Sequence, residues 1–164
     1  MIRKYHAVIL LLRNPYGSLA AEYNRKQGGQ MFYERWGDDA VEREEFLQAI
    51  GAELKCWSNI TINALLCEEC LLLVVHYEDL VERTNEQLHN ILKFLNFSVD
   101  EDRFRCVEND KEGQYHRGVP KDERTRQYHM LRTLDTRFDI DGKIKSVSKL
   151  LVSRGYLPIR QYVV

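Results

Sequence analysis

An arginine that ends an apolar run and is followed at once by Asn-Pro is the feature of this sequence best suited to chemistry. It is Arg13, within Leu12-Arg13-Asn14-Pro15-Tyr16-Gly17-Ser18. Where a strand hands over to a helix, the first helical N–H groups have no internal partners. Those groups and the helix dipole favour an anion. A guanidinium at the strand end adds a planar fork of donors that matches phosphate oxygens. Open α/β sheets bind ligands along this edge. Gly17 allows close approach to the first turn, and Ser18 offers a hydroxyl. The plainer alternative is an arginine that closes a strand, solvated or ion-paired.

Other residues invite chemistry less strongly. Tyr77 follows a second apolar run and carries a ring with a polar tip, which suits a packed strand end. Glu78 and Asp79 read as turn caps. His76 has the type of a general base, but it lies inside the strand pattern and reads as structural. The stretch from Asn109 to Gly118 is polar and basic, with Lys111, Gly113 and Arg117, and reads as a solvated loop. Cys67-Glu68-Glu69-Cys70 has C-x-x-C spacing. No second pair or paired histidines stand near it to complete a zinc site. It precedes a strand, whereas a redox pair belongs at a helix start after one. Packed or loosely paired cysteines are expected. Asn59-Ile60-Thr61 and Asn96-Phe97-Ser98 are acceptor triplets for N-glycosylation.

The elements that must position these groups follow from pattern. Ala7–Leu12 and Leu71–Val75 are continuous apolar runs, expected as strands buried on both faces of a parallel sheet. Asn14 caps a helix with Pro15 at its first position, ended by Gly28-Gly29. A long helical stretch from about Asp39 to Glu69 carries possible breaks near Gly51 and Trp57. Thr84-Asn85-Glu86-Gln87 reads as a capping box before a helix with Leu88, Ile91, Leu92 and Leu95 on one face. A short helix is expected over Asp100–Val107, another within Lys121–Phe138, a turn at Asp141-Gly142, and a last helix ended by Gly155. Two buried strands separated by helices argue an α/β fold with a parallel sheet. Two strands are few for such a sheet, which leads to the expectation that part of the domain lies upstream of Met1.

Composition sets the bounds. The 164 residues suffice for one domain. With 44% hydrophobic and 30% charged residues, the chain reads as a soluble globular protein. A net charge of −1 supplies no global field toward nucleic acid or an anionic membrane, so any anion site is local. No apolar run approaches membrane-spanning length, and the start of the chain lacks a signal-peptide pattern. The missing Walker-type loop argues against a nucleotide kinase.

Ala7-Val-Ile-Leu-Leu-Leu-Arg-Asn-Pro15, followed by Ser18 and Tyr23, resembles the 3′-phosphate-binding motif of sulfotransferases that use 3′-phosphoadenosine 5′-phosphosulfate. Leu72-Leu-Val-Val-His-Tyr-Glu-Asp-Leu80 and Ile91-Leu-Lys-Phe-Leu-Asn96 are similar to the strand and helix that follow. The chain is most like the WSC-domain-containing, sulfotransferase-like group, through Arg13-Asn-Pro-Tyr16, Glu22-Tyr-Asn-Arg-Lys26, Val74-Val-His-Tyr-Glu78 and Cys106-Val-Glu-Asn-Asp-Lys-Glu-Gly113. The resemblance covers about Ala7 to Arg117. It implies a three-layer, P-loop-NTPase-like sulfotransferase fold, with residues 1–164 as the C-terminal portion of one domain. The N-terminal strand or strands and the 5′-phosphosulfate loop would then be lacking, so the chain alone would be inactive. It implies Arg13 and a helix serine on the 3′-phosphate, Tyr77 on the adenosine, and Lys111, Gly113 and Arg117 in a loop over the cofactor. The serine of the family pattern falls at Ala21 here, and Ser18 stands one turn earlier. The implied co-substrate is the sulfonucleotide, without metal. The implied acceptor is a hydroxyl, on a glycan, and the implied location of the full-length relative is the Golgi lumen or membrane. No catalytic base is identified. The competing expectation is a non-catalytic nucleotide-binding or interaction module of the same fold.

Overall fold

The computed structural model describes residues 7–26, 40–109, 121–134 and 138–161. Strand β1 (Ala7–Leu12) leads into helix α1 (Pro15–Lys26). Helix α2 (Ala40–Leu65) precedes β2 (Leu71–His76), and α3 (Tyr77–Glu82), α4 (Thr84–Phe94), α5 (Glu101–Asn109), α6 (Lys121–Thr133) and α7 (Ile140–Ser153) follow. The two strands pair in parallel, from Ala7 beside Leu71 to Leu12 beside His76. Both apolar runs thus form the strands expected of them.

Burial on both faces does not extend along the whole sheet. Leu10, Leu12, Leu72 and Val74 share one face and pack on Ala64 and Leu65 of α2 and on Val147 and Leu151 of α7. On the other face Val75 is buried, whereas Ile9, Leu11 and Leu71 are exposed among the described residues. A second core gathers Tyr16, Leu19 and Ala20 of α1, Leu47, Ile50 and Leu54 of α2, Leu131 and Leu134 beside α6, and Ile140 of α7. Helix α2 therefore serves both cores, one with each half. It runs without the breaks expected at Gly51 and Trp57. Gly51 is small because the Phe138 ring lies against it, at 3.1 Å from where a Cβ would stand. Tyr16 Oη donates to Asp141 Oδ1 at 2.9 Å and Arg132 Nη1 donates to Tyr16 Oη at 3.2 Å, which joins α1, α6 and α7. Hydrogen bonds to Tyr16 and Asp141 hold the Arg132 guanidinium above its ordinary value.

Three local expectations change. Thr84 is the first residue of α4, not its cap, and its hydroxyl turns back toward Val81 O at 3.4 Å. Arg83 precedes it and pairs with Glu86 instead, so no capping box forms. Asp141-Gly142 is not a turn but lies in the first turn of α7, because Asp139 caps that helix by accepting from Gly142 N at 3.1 Å. The two cysteines Cys67 and Cys70 form a disulfide with their Cα atoms 5.6 Å apart, between α2 and β2. Cys56 and Cys106 are exposed thiols. Gly28-Gly29, expected to end α1, lies outside the described residues.

Gly155 ends α7 as expected. At φ 82° it sits in the left-handed region. Gly155 N donates to Val152 O at 3.0 Å and Tyr156 N to Leu151 O at 2.9 Å, a Schellman closure. The chain then doubles back. Tyr156 Oη donates to Leu72 O at 2.8 Å and Ile159 packs into the sheet core. Leu151 is fully buried where α7 meets the sheet. Leu151→Ala should lower stability by about 2–5 kcal/mol through lost transfer energy and a residual cavity. Urea denaturation reads this as a lower midpoint with an unchanged slope.

Candidate functional site

The carboxyl ends of β1 and β2 lie side by side, so Arg13 and Tyr77 come together although 64 positions separate Asn14 from Glu78 just beyond them. The Arg13 guanidinium lies over the Tyr77 ring, 4.4 Å from its centroid. This is a cation–π contact. Arg13 is half-buried and pairs with no carboxylate among the described residues. Its carbonyl is held by Trp57 Nε1 of α2 at 3.0 Å. The backbone is thereby fixed while the charged head is left available.

Asn14 organises the turn. It is 3% exposed, and its oxygen Oδ1 accepts from Tyr16 N at 3.0 Å, the N-cap expected of it. Its Nδ2 donates to Arg160 O at 2.8 Å. Its backbone N–H donates to Glu78 Oε1 at 3.0 Å. The expectation of several free donors at the start of α1 is therefore revised. Pro15 has none, Tyr16 N–H is capped, and Ser18 N–H bonds Asn14 O. The Asn14 amide that an external anion would use is taken by Glu78, whose carboxylate itself complements the helix dipole. Gly17 N–H is the first-turn donor without a partner among the described residues.

Ser18 stands beside Arg13 as expected, but its hydroxyl faces Arg13 O at 3.5 Å, too long for a strong bond. Ser18 and Ala21 line the same open cavity of about 400 Å³, together with Arg13, Glu22, Arg25 and Glu53. The spacing of one turn does place them on one face. The carboxylates there are engaged. Arg25 forms two bonds to Glu22, at 2.7 and 2.8 Å, and Lys26 bonds Glu53. The hydrogen bond from Arg25 holds the Glu22 carboxyl below its ordinary value.

Glu78 and Asp79 act structurally, as their position in the turn implied. Asp79 is 7% exposed and accepts from Arg160 at 2.8 Å and from Arg83 at 3.0 Å. Arg160 also reaches Glu82 at 2.8 Å. A strap over residues 156–160 thus crosses both strand ends and ties Asn14 to Asp79. Sequence reasoning missed Arg160, Trp57, Arg25 and Glu53, since nothing local to any of them points at Arg13. His76 is buried at the end of β2, and its Nε2 has no hydrogen-bond partner among the described residues. Lys111, Gly113 and Arg117 lie outside the described residues. Among the described residues no group of His, Cys, Asp and Glu could hold a metal ion, and no helix is long and apolar enough to cross a membrane.

The chain is similar to WSCD family members. One from Drosophila pseudoobscura pseudoobscura is 35% identical over 112 residues, which is 66% of this chain and 35% of that protein. One from Drosophila melanogaster is 32% identical over 116 residues, 69% of this chain and 36% of that protein. One from Aedes aegypti is 33% identical over 116 residues, with the same two shares of 69% and 36%. The chain spans about a third of the length of these curated relatives. No protein-family model matches the chain, and no solved structure matches it. The resemblance to the sulfotransferase family is corrected accordingly. The relatives carry the name WSCD family member, and none of these names indicates a sulfotransferase.

Asn14→Ala removes the α1 cap and leaves the Arg160 carbonyl without its Asn14 donor. It should cost about 2–4 kcal/mol, from the two losses together. Asn14→Ser keeps a cap acceptor but does not reach Arg160, and should recover roughly 1 kcal/mol of that. Urea denaturation of both variants tests the double role, and equal losses for Ala and Ser would refute the cap.

Proposed function

We propose that the corner formed by Arg13, Ser18 and Tyr77 binds a phosphate group of a nucleotide. The observation that carries this is the Arg13 guanidinium. It sits at the carboxyl edge of a parallel sheet, on an aromatic ring, with its carbonyl fixed and no carboxylate against it. That is a preformed half-site for a phosphate dianion, which takes the planar fork in two-point contact. A planar base would meet the Tyr77 ring where the Arg13 guanidinium leaves it uncovered.

The finer reading names 3′-phosphoadenosine 5′-phosphosulfate as the ligand, with its 3′-phosphate at Arg13. The whole protein would then move the sulfuryl group to a hydroxyl of a glycan in the Golgi, and β1 and β2 would belong to a larger three-layer, P-loop-NTPase-like sheet. Transfer of this kind rests on positioning and on cations that meet developing charge, as phosphoryl transfer does. Lys111 and Arg117 are the cations this reading offers for the rest of the ligand.

One observation favours the non-catalytic alternative for this chain. A base must accept the acceptor's proton, and the cavity carboxylates Glu22 and Glu53 are held by Arg25 and Lys26. A nucleotide-binding module satisfies the same geometry without a base.

Adenosine 3′,5′-bisphosphate should raise the melting temperature of the chain. Arg13→Ala should weaken its binding about 10–100-fold, corresponding to the roughly 1.5–3 kcal/mol of hydrogen bonds to a charged group. Adenosine 5′-monophosphate, which lacks the 3′-phosphate, should bind parent and variant alike. No stabilisation at millimolar bisphosphate, or equal binding by parent and Arg13→Ala, overturns the assignment.

A further inference from the structure

The two glycosylation triplets have opposite structural fates. Asn59-Ile60-Thr61 is folded into α2, and Thr61 is 2% exposed with its hydroxyl donating to Trp57 O at 2.8 Å. The hydroxyl that an oligosaccharide transferase must recognise is therefore withdrawn. Asn96-Phe97-Ser98 follows the end of α4, and all three residues are exposed.

The shape of this second triplet follows from how α4 ends. Asn96 takes φ 57°, the left-handed position after the cap. Its N–H donates to Lys93 O at 3.1 Å, and Phe97 N–H donates to Leu92 O at 2.9 Å. This is the Schellman closure, and asparagine tolerates the left-handed region better than most residues with a side chain. The backbone is spent on closing the helix, and the Asn96 side-chain amide has no partner among the described residues. Leu95, Phe97 and Val99 flank it as exposed apolar side chains, so a glycan at this point also shields apolar surface.

A second observation concerns the compartment. Cys67 and Cys70 form a disulfide, and such bonds form and persist in oxidising compartments. The secretory lumen is where N-linked sugars are attached.

We propose that Asn96 is an N-glycan acceptor and that Asn59 is not. In the attachment step the Asn96 amide nitrogen forms a bond to the anomeric carbon of an oligosaccharide carried on a polyprenyl diphosphate. The bond from that carbon to the phosphate oxygen breaks, the lipid diphosphate leaves with the electron pair, and one amide proton passes to the transferase's base. The proposal is independent of what binds at Arg13.

The test is expression of the full chain behind an appended signal peptide in a eukaryotic host. The product should carry one glycan, seen as a gel shift that peptide N-glycosidase removes, with deamidation at position 96 in the peptide map. Asn96→Gly keeps the left-handed cap and should abolish the shift. Ser98→Ala leaves the acceptor and the cap in place, removes the recognised hydroxyl, and should abolish it as well. Absence of any shift in the secreted parent overturns the proposal. So does a shift that survives either substitution, or deamidation at position 59.

Discussion

A buried amide that must satisfy both its donor and its acceptor sets the geometry on which the rest of this structure depends. Asn14 lies where β1 ends, α1 begins and the returning C-terminal strap crosses. Its oxygen serves α1, its nitrogen serves the strap, and its backbone N–H serves Glu78 at the start of α3. Aspartate supplies no donor and serine no second arm, so the amide is the side chain that meets both demands. An unmade bond at such a buried site costs more than a made one contributes. The three segments therefore hold one another in register. Arg13 inherits its position from this arrangement, one residue before Asn14, with Trp57 holding its carbonyl from the opposite side.

The electrostatics follow from the same crossing. Four acidic or basic side chains meet beyond the end of β2, and Asp79 is the buried one. A buried carboxylate needs paired cations and full hydrogen bonding, and Arg160 and Arg83 supply both. Arg160 can do so because Asn14 holds its carbonyl. Glu78 is satisfied by an amide at a helix start, where the dipole also stabilises it. With each of these acids matched by an arginine or a backbone amide, none is left for Arg13. Its lack of a carboxylate partner among the described residues is thus a consequence of how its neighbours pair.

Legibility in the sequence divides along local and distant interactions. Both strands showed as apolar runs, and the Asn14-Pro15 start of α1 and the Gly155 end of α7 each have a cause within a few residues. Local signals failed where a competing local signal stood next to them. Thr84 lost the cap position to Arg83, and Asp141-Gly142 was absorbed into α7 because Asp139 was the better-placed acceptor. The long reach of α2 past Gly51 was not legible, since the reason for that glycine is the Phe138 ring, far along the chain. Of the residues the sequence offered as candidates, Tyr77 lies under Arg13 and Ser18 stands beside it. The occupation of the Asn14 amide by Glu78 was not, because the pairing of the two strands alone brings them together.

Charge balance decides what the Arg13 corner can accommodate. A phosphate dianion carries more charge than one guanidinium neutralises. The next cation in the cavity is Arg25, bound to Glu22 with most of its side chain in solvent. Such an exposed pair is weakly held, because solvent and salt screen it. On the proposed reading, a phosphate at Arg13 would compete with Glu22 for the Arg25 guanidinium, whose planar fork suits either anion. Lys26, on the same helix as Arg25, pairs with Glu53 of α2. Under the proposed reading, Arg25 would be the second cation within reach of a phosphate at Arg13. The same reading would assign the cations for a second phosphate to Lys111 and Arg117, which lie outside the described residues.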